Sequence, residues 1–179
     1  RFPPASDPDF FALSVLDSLL AGPTNLNMFG GGISNKTSRL YRALVDKEYV
    51  VGLSGGSAAT IDPFLYTFTL TVHPKRKPQE ALAALDAEIK KMQDKLVSRE
   101  EVARAIKQAR ALFVYGSENI TNQAFWMGYA EMFASYNWFL TYLKNLSKVT
   151  PSDVQRVARQ YFQPQSRVIG MFIPKGEKA

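Results

Sequence analysis

Residues Phe64-Leu65-Tyr66-Thr67-Phe68-Thr69-Leu70-Thr71-Val72 read FLYTFTLTV, with aromatic and aliphatic side chains alternating with threonine. A period of two belongs to a β-strand with one packed and one solvated face, and the packed face needs a covering layer. Upstream, Tyr49 to Ala59 reads YVVGLSGGSAA, β-branched and then glycine-rich, which predicts a second strand with a bend or bulge near Gly55-Gly56. A short connection around Asp62-Pro63 separates the two, so they are expected to pair antiparallel.

Outward from this pair the sequence is helical. Pro78 opens a helix whose apolar stripe is Leu82, Leu85, Ile89, Met92 and Leu96. Ser98-Arg99-Glu100-Glu101 is a capping box that starts the next helix, with Val102, Ile106, Ala109 and Phe113 inward. Helix continues through Phe125, Trp126 and Met132, then from Trp138 to Lys148, and Thr150-Pro151-Ser152-Asp153 caps a last one with Val154, Val157, Ala158 and Tyr161 inward. Before the strands, Asp7-Pro8 starts a helix carrying Leu13, Leu16 and Leu20 up to Ala21-Gly22. Thr37 or Ser38 then caps a short helix through about Lys47, with Leu40, Leu44 and Tyr41 inward. A final strand is predicted from Arg167 to Ile173, stopped by Pro174. The order predicts an α+β fold, a mainly antiparallel sheet covered on one face by helices.

The 179 residues suit one domain, 1–179, with a single core. The start, RFPPASDPDF, lacks an initiator Met and the apolar region of a signal peptide, so the chain reads as part of a longer one. No apolar run approaches the ~18 residues of a membrane span, and no membrane partner is expected. With no Cys and one His, His73, the chain has no thiolate metal site and too few imidazoles for the usual zinc sites. The net charge is +6, but Lys and Arg are mostly interleaved with Asp and Glu, and the one dense run, HPKRKP at 73–78, reads as a solvated turn. No nucleic-acid partner is expected.

The segment from Met28 to Tyr41, MFGGGISNKTSRLY, resembles a phosphate loop. Counted from Gly30 it gives G-G-G-I-S-N-K-T, where Asn35 replaces the glycine that lets backbone wrap phosphates, and PTNLNMF before it is not a buried parallel strand. A loop lying over a groove or a plain turn fits better. Phe64, Tyr66 and Phe68 could stack bases, but the helices must bury something, and core is the better reading. The aromatics from Phe125 to Tyr142 read as core or as a partner surface. Asp86, Glu88, Glu100 and Glu101 are expected on solvated helix faces, unsuited to acid-base work.

Ser38-Arg39-Leu40-Tyr41-Arg42-Ala43-Leu44, SRLYRAL, just after the glycine triplet, resembles the pitrilysin, insulin-degrading-enzyme and mitochondrial processing peptidase family of zinc peptidases, M16. Thr150 to Phe162, TPSDVQRVARQYF, followed by Pro164, is similar to that family's closing helix, and Ala21-Gly22 ends its opening helix in the matching place. The resemblance spans nearly the whole chain and implies the metallopeptidase LuxS/MPP-like domain fold. It also implies a first strand ahead of the opening helix, with RFPPAS as its tail.

Family members pair homologous domains, one of which carries H-x-x-E-H on a helix, holding zinc and an activating glutamate. His73, in Val72-His73-Pro74, cannot belong to that motif. The resemblance is therefore to the noncatalytic, C-terminal-type half, which encloses and guides extended peptide or unfolded protein opposite a zinc-bearing domain or subunit supplied elsewhere. Zinc is expected in that partner and no cofactor here. No catalytic or metal-ligating residue is assigned. The substrate-binding candidates implied are Gly30, Gly31, Gly32, Ile33 and Ser34, for which a plain turn is the competing reading. The arginine and tyrosine that second domains often bring to substrate align with Val45 and Gly52, with Lys47 and Tyr49 nearby. Their absence keeps open a structural or assembly subunit with the fold but no peptidase activity.

Overall fold

Asp7 Oδ1 accepts the backbone N–H of Asp9 at 2.8 Å, satisfying one orphan donor at the start of helix α1 (Asp9–Leu20). In the computed structural model, which describes residues 1–22 and 36–174, α1 is the central helix. Phe10, Ala12, Leu13, Val15, Leu16, Leu19 and Leu20 are all buried, and so are Asp17 and Ser18. A helix buried around most of its circumference needs neighbours on several sides, and α1 packs against four elements introduced below.

Ser38 caps a short turn that becomes π-helical over Tyr41–Val45, where the Asp46 N–H reaches the Tyr41 carbonyl at 3.1 Å. The expected helix to Lys47 is therefore one wide turn, with Leu40 and Leu44 buried and Tyr41 half-buried. Strand β1 (Val50–Gly56) and strand β2 (Thr67–Val72) pair antiparallel, as the alternation predicts. On β2, Phe68, Leu70 and Val72 turn to the helices and the threonines to solvent. Phe64 falls outside β2, forms an isolated bridge with Phe2 and is 56% exposed, at the margin of the core rather than in it.

The irregularity in β1 is not at Gly55-Gly56. Those residues pair regularly with Phe68 and Thr67, and the register shifts between Val50 and Gly52, leaving Val51 as the extra residue. Gly55 has a different use: a Cβ there would meet Ala21 Cβ at 2.9 Å, Phe68 Cδ1 at 3.0 Å and the Tyr66 hydroxyl at 3.1 Å. Its lack of a side chain lets the end of α1 approach the sheet.

Helix α2 (Pro78–Asp94) buries Ala81, Leu85, Glu88 and Met92, a stripe rotated slightly from the predicted one. Leu82 and Ile89 are only half-buried, and Leu96, 59% exposed, lies past the helix end because Lys95 is already extended. Val97 takes the buried place instead. Glu88, expected in solvent, is buried beside Lys91 Nζ at 2.5 Å, while Asp86 pairs with Arg167.

Helix α3 (Arg99–Gly116) starts at the predicted box, with Ser98 Oγ accepting from Glu101 N at 3.1 Å and Glu101 Oε2 from Ser98 N at 2.9 Å. Helices α4 (Ile120–Phe133) and α5 (Tyr136–Leu146) follow, each capped by the preceding Asn119 or Ser135 side chain. Of the aromatic cluster, Trp126, Phe133, Phe139 and Tyr142 are buried, and Phe125, Tyr129 and Trp138 are packed against the core, which favours core over partner surface. Helix α6 (Pro151–Tyr161) starts at the Thr150 box and buries Val154, Val157 and Ala158. Arg156 and the Tyr161 hydroxyl both bind Asp9, at 2.6 and 3.1 Å, which clips α6 to the start of α1. The neighbours of α1 are thus α6, α3, α5 and β1.

Beyond a single 3₁₀ turn at Pro164–Ser166, the predicted strand from Arg167 to Ile173 does not form. Alternation marks which side chains share a face, but a strand exists only where a neighbour takes its backbone hydrogen bonds.

Candidate functional site

The candidate glycines, Gly30 to Gly32, with Ile33 and Ser34, lie outside the described residues, but both flanks of that segment are described. On the amino side, Ala21 and Gly22 N–H groups both donate to the Asp17 carbonyl, at 2.8 and 3.3 Å, and Gly22 adopts φ 103, the left-handed conformation that ends a helix at low cost for glycine. Above that helix end lies a buried polar pair: the Tyr66 hydroxyl donates to Asp17 Oδ1. Burial pushes the Asp17 carboxyl up to about 7 against the lowering effect of the Tyr66 hydrogen bond. Burial and the Asp17 charge raise the Tyr66 hydroxyl well above its ordinary value. Asp17 was not a candidate from sequence and Tyr66 was read there as core, although an aspartate between Leu16 and Leu20 on an apolar stripe is a readable signal of a buried acid.

On the carboxyl side, Ser38 is buried and its Oγ accepts the Tyr41 N–H at 3.2 Å. Arg39 Nη2 meets Glu101 Oε1 at 2.6 Å, tying the SRLYRAL turn to the capping box of α3. Burial by itself would raise the Glu101 carboxyl, but the Ser98 backbone hydrogen bond and the Arg39 charge hold it below its ordinary value. Leu40 and Leu44 sink fully into the core, so this short segment is held by two aliphatic anchors, a cap and an ion pair.

The two positions aligned with an arginine and a tyrosine differ. Val45 ends the π-helical turn and packs on the core, whereas a Cβ at Gly52 would meet nothing within 4 Å. Nearby, Tyr49 is covered by the Arg76 guanidinium at 4.8 Å from its ring centre, and Arg76 Nε donates to the Glu48 carbonyl at 3.4 Å. Lys47 is exposed. The turn His73 to Arg76 closes with Arg76 N donating to the His73 carbonyl at 2.8 Å, and His73 Nδ1 accepts from Lys75 N at 3.2 Å. Among the described residues, no three His, Cys, Asp or Glu side chains are grouped to hold a metal ion, so these residues do not fit zinc.

Residues 1–109 match the sequence profile of the peptidase M16 inactive domain. The chain belongs to that family. The M16 inactive domain is similar in structure to the inactive peptidase domain of a candidate zinc protease from Bordetella parapertussis, with 25% identity, 97% of this chain and 88% of that one covered, and a TM-score of 0.82. A second candidate zinc protease, from Bordetella pertussis Tohama I, shares 26% identity over 97% of this chain and 90% of its own, with a TM-score of 0.79. A chain of complex III2 from Candida albicans, with Inz-5 bound, shares the fold at 12% identity and a TM-score of 0.66, over 89% of this M16 domain and 37% of its own length. Among curated proteins, no relative matches the chain.

Proposed function

We propose that this M16 domain is the noncatalytic half of a zinc metalloendopeptidase, enclosing extended peptide opposite a homologous H-x-x-E-H domain. The observation that carries the reading is the match of residues 1–109 to the inactive domain of M16 peptidases. The chain's own residues contribute shape and backbone rather than chemistry: the flanks at Gly22 and Ser38 hold the ends of the segment containing Gly30 to Ser34, which is assigned to substrate guidance. The zinc of the partner domain would supply the activated water. The test places a photo-crosslinking peptide in the assembled protein. Cross-links at Gly30 to Ser34, competed by unlabelled substrate, support guidance; efficient cleavage by the pure chain, or cross-links only elsewhere, defeats it.

A scaffold without peptidase function is the second reading. It is favoured by the aliphatic Val45 and the empty Gly52 position, and by the fold shared with a complex III2 chain. An assembly that neither cross-links peptide nor cleaves it, but loses integrity when this domain is removed, decides for the scaffold.

A further inference from the structure

Three helices bring aromatic rings to one point. Phe113 of α3, Trp126 of α4, and Trp138 and Phe139 of α5 line a partly enclosed cavity, and Gly116, the last residue of α3, completes the wall. Counted out to its mouth, the cavity measures about 260 Å³, below the range of sites for whole cofactors and suited to one compact group. Both tryptophans of the chain stand in this wall.

Packing fixes the rings in advance. Phe113 lies 4.8 Å from Phe139 and stacks on Tyr142 at 5.6 Å, centre to centre. Trp138 meets Phe133 edge-on at 4.9 Å, and its indole N–H donates to the Ala5 carbonyl at 2.9 Å. Trp126, 7% exposed, makes its ring contacts with Phe125 and Tyr129 of its own helix; among the described residues it touches none of the other three rings of the wall, which leaves the gap between them. A wall held this way loses little side-chain freedom when a guest enters.

The cavity also has an electrostatic sign. Ring faces carry negative charge density, most strongly on indole, and α3 ends at Gly116, where the helix dipole adds partial negative charge that no basic side chain of the last turn meets. Among the described residues no Lys or Arg lines the cavity. At the same time, side chains of Phe, Trp and Gly hold no hydrogen-bond acceptor, so a primary ammonium would leave its three N–H donors without side-chain partners there. A quaternary ammonium has no N–H to satisfy, and its methyl groups are apolar.

The geometry points to a binding site for a quaternary ammonium group, the trimethylated head of a small choline-like solute, seated among Phe113, Trp126, Trp138 and Phe139 at the carbonyl end of α3. The site is separate from peptide enclosure and does not depend on it.

The test titrates the protein as isolated from its source, by calorimetry at constant ionic strength, with choline, with its uncharged isostere dimethylbutanol, in which carbon replaces nitrogen, and with ethanolamine. Choline is expected to bind saturably and about tenfold more tightly than the isostere, and ethanolamine to give no saturable heat. Trp126→Leu should weaken choline by about tenfold; where leucine prevents folding, Trp126→Phe, which keeps a poorer ring, should weaken it by about threefold. Equal affinity for choline and the isostere would mean a plain apolar hole, with rings turned edge-on, and overturn the inference. So would ethanolamine binding as choline does, no saturable binding of choline, choline affinity unchanged in a folded Trp126 variant, or a trimethyl-lysine peptide binding more tightly than choline, which would assign the cavity to a protein side chain.

Discussion

Replacing Asp17 by Asn isolates an acid that the fold buries almost completely, at 2% exposure. Its carboxyl stands at about 7 against an ordinary 3.8, so between those values the native state holds a proton that the unfolded chain releases. The sign follows: this group's contribution is full below about pH 4, falls by about 1.4 kcal/mol per pH unit as pH rises, and is gone above pH 7, about 4 kcal/mol in all. Asn keeps a carbonyl acceptor for the Tyr66 hydroxyl and has no charge to bury. Urea unfolding of both proteins from about pH 4.5 to about pH 8 should show the Asp17→Asn variant gaining about 3 kcal/mol on the parent across the series, whatever its offset at the acid end. The subtraction removes Asp9 and Glu101, which are held low and titrate identically in both proteins. A difference that stays flat with pH would refute the reasoning, because the buried carboxyl would then not change its proton occupancy on folding.

The two strand glycines should part ways. Gly55→Ala forces a Cβ against Ala21 and Phe68 and is expected to cost about 1–3 kcal/mol in chemical denaturation. Gly52→Ala enters open space and should be neutral or up to about 1 kcal/mol stabilising by the same measurement. Arg39→Ala removes the ion pair to Glu101 and should cost about 1 kcal/mol, with Glu101→Gln in the Arg39→Ala background adding less than it does alone; a fully additive double-mutant cycle would mean the 2.6 Å contact carries no energy. Ser98→Ala should cost about 1 kcal/mol by thermal unfolding, since it leaves the Glu101 N–H at the start of α3 without its acceptor.

What the sequence determined alone was everything resting on neighbours a few residues apart. The boxes at Ser98 and Thr150, a cap at Thr37 or Ser38 that the structure gives to Ser38, the stop at Ala21-Gly22 and the alternation of β2 are local, because each partner lies within about one helical turn or one strand repeat. The hairpin pairing followed from a short connection. The SRLYRAL turn and the closing helix pointed to M16, the family that residues 1–109 match. Tertiary structure decided the rest. The rotation of the α2 stripe, the burial of Glu88 and the place of the bulge depend on which elements press from outside, and no spacing rule encodes a neighbour. Gly55 looked like a bulge and is a contact point, since the atom that forbids its side chain belongs to Ala21, far away in sequence. Arg167 to Ile173 carries the pattern of a strand but not the strand: alternation is a property of one segment, whereas the hydrogen bonds that make it a strand belong to two.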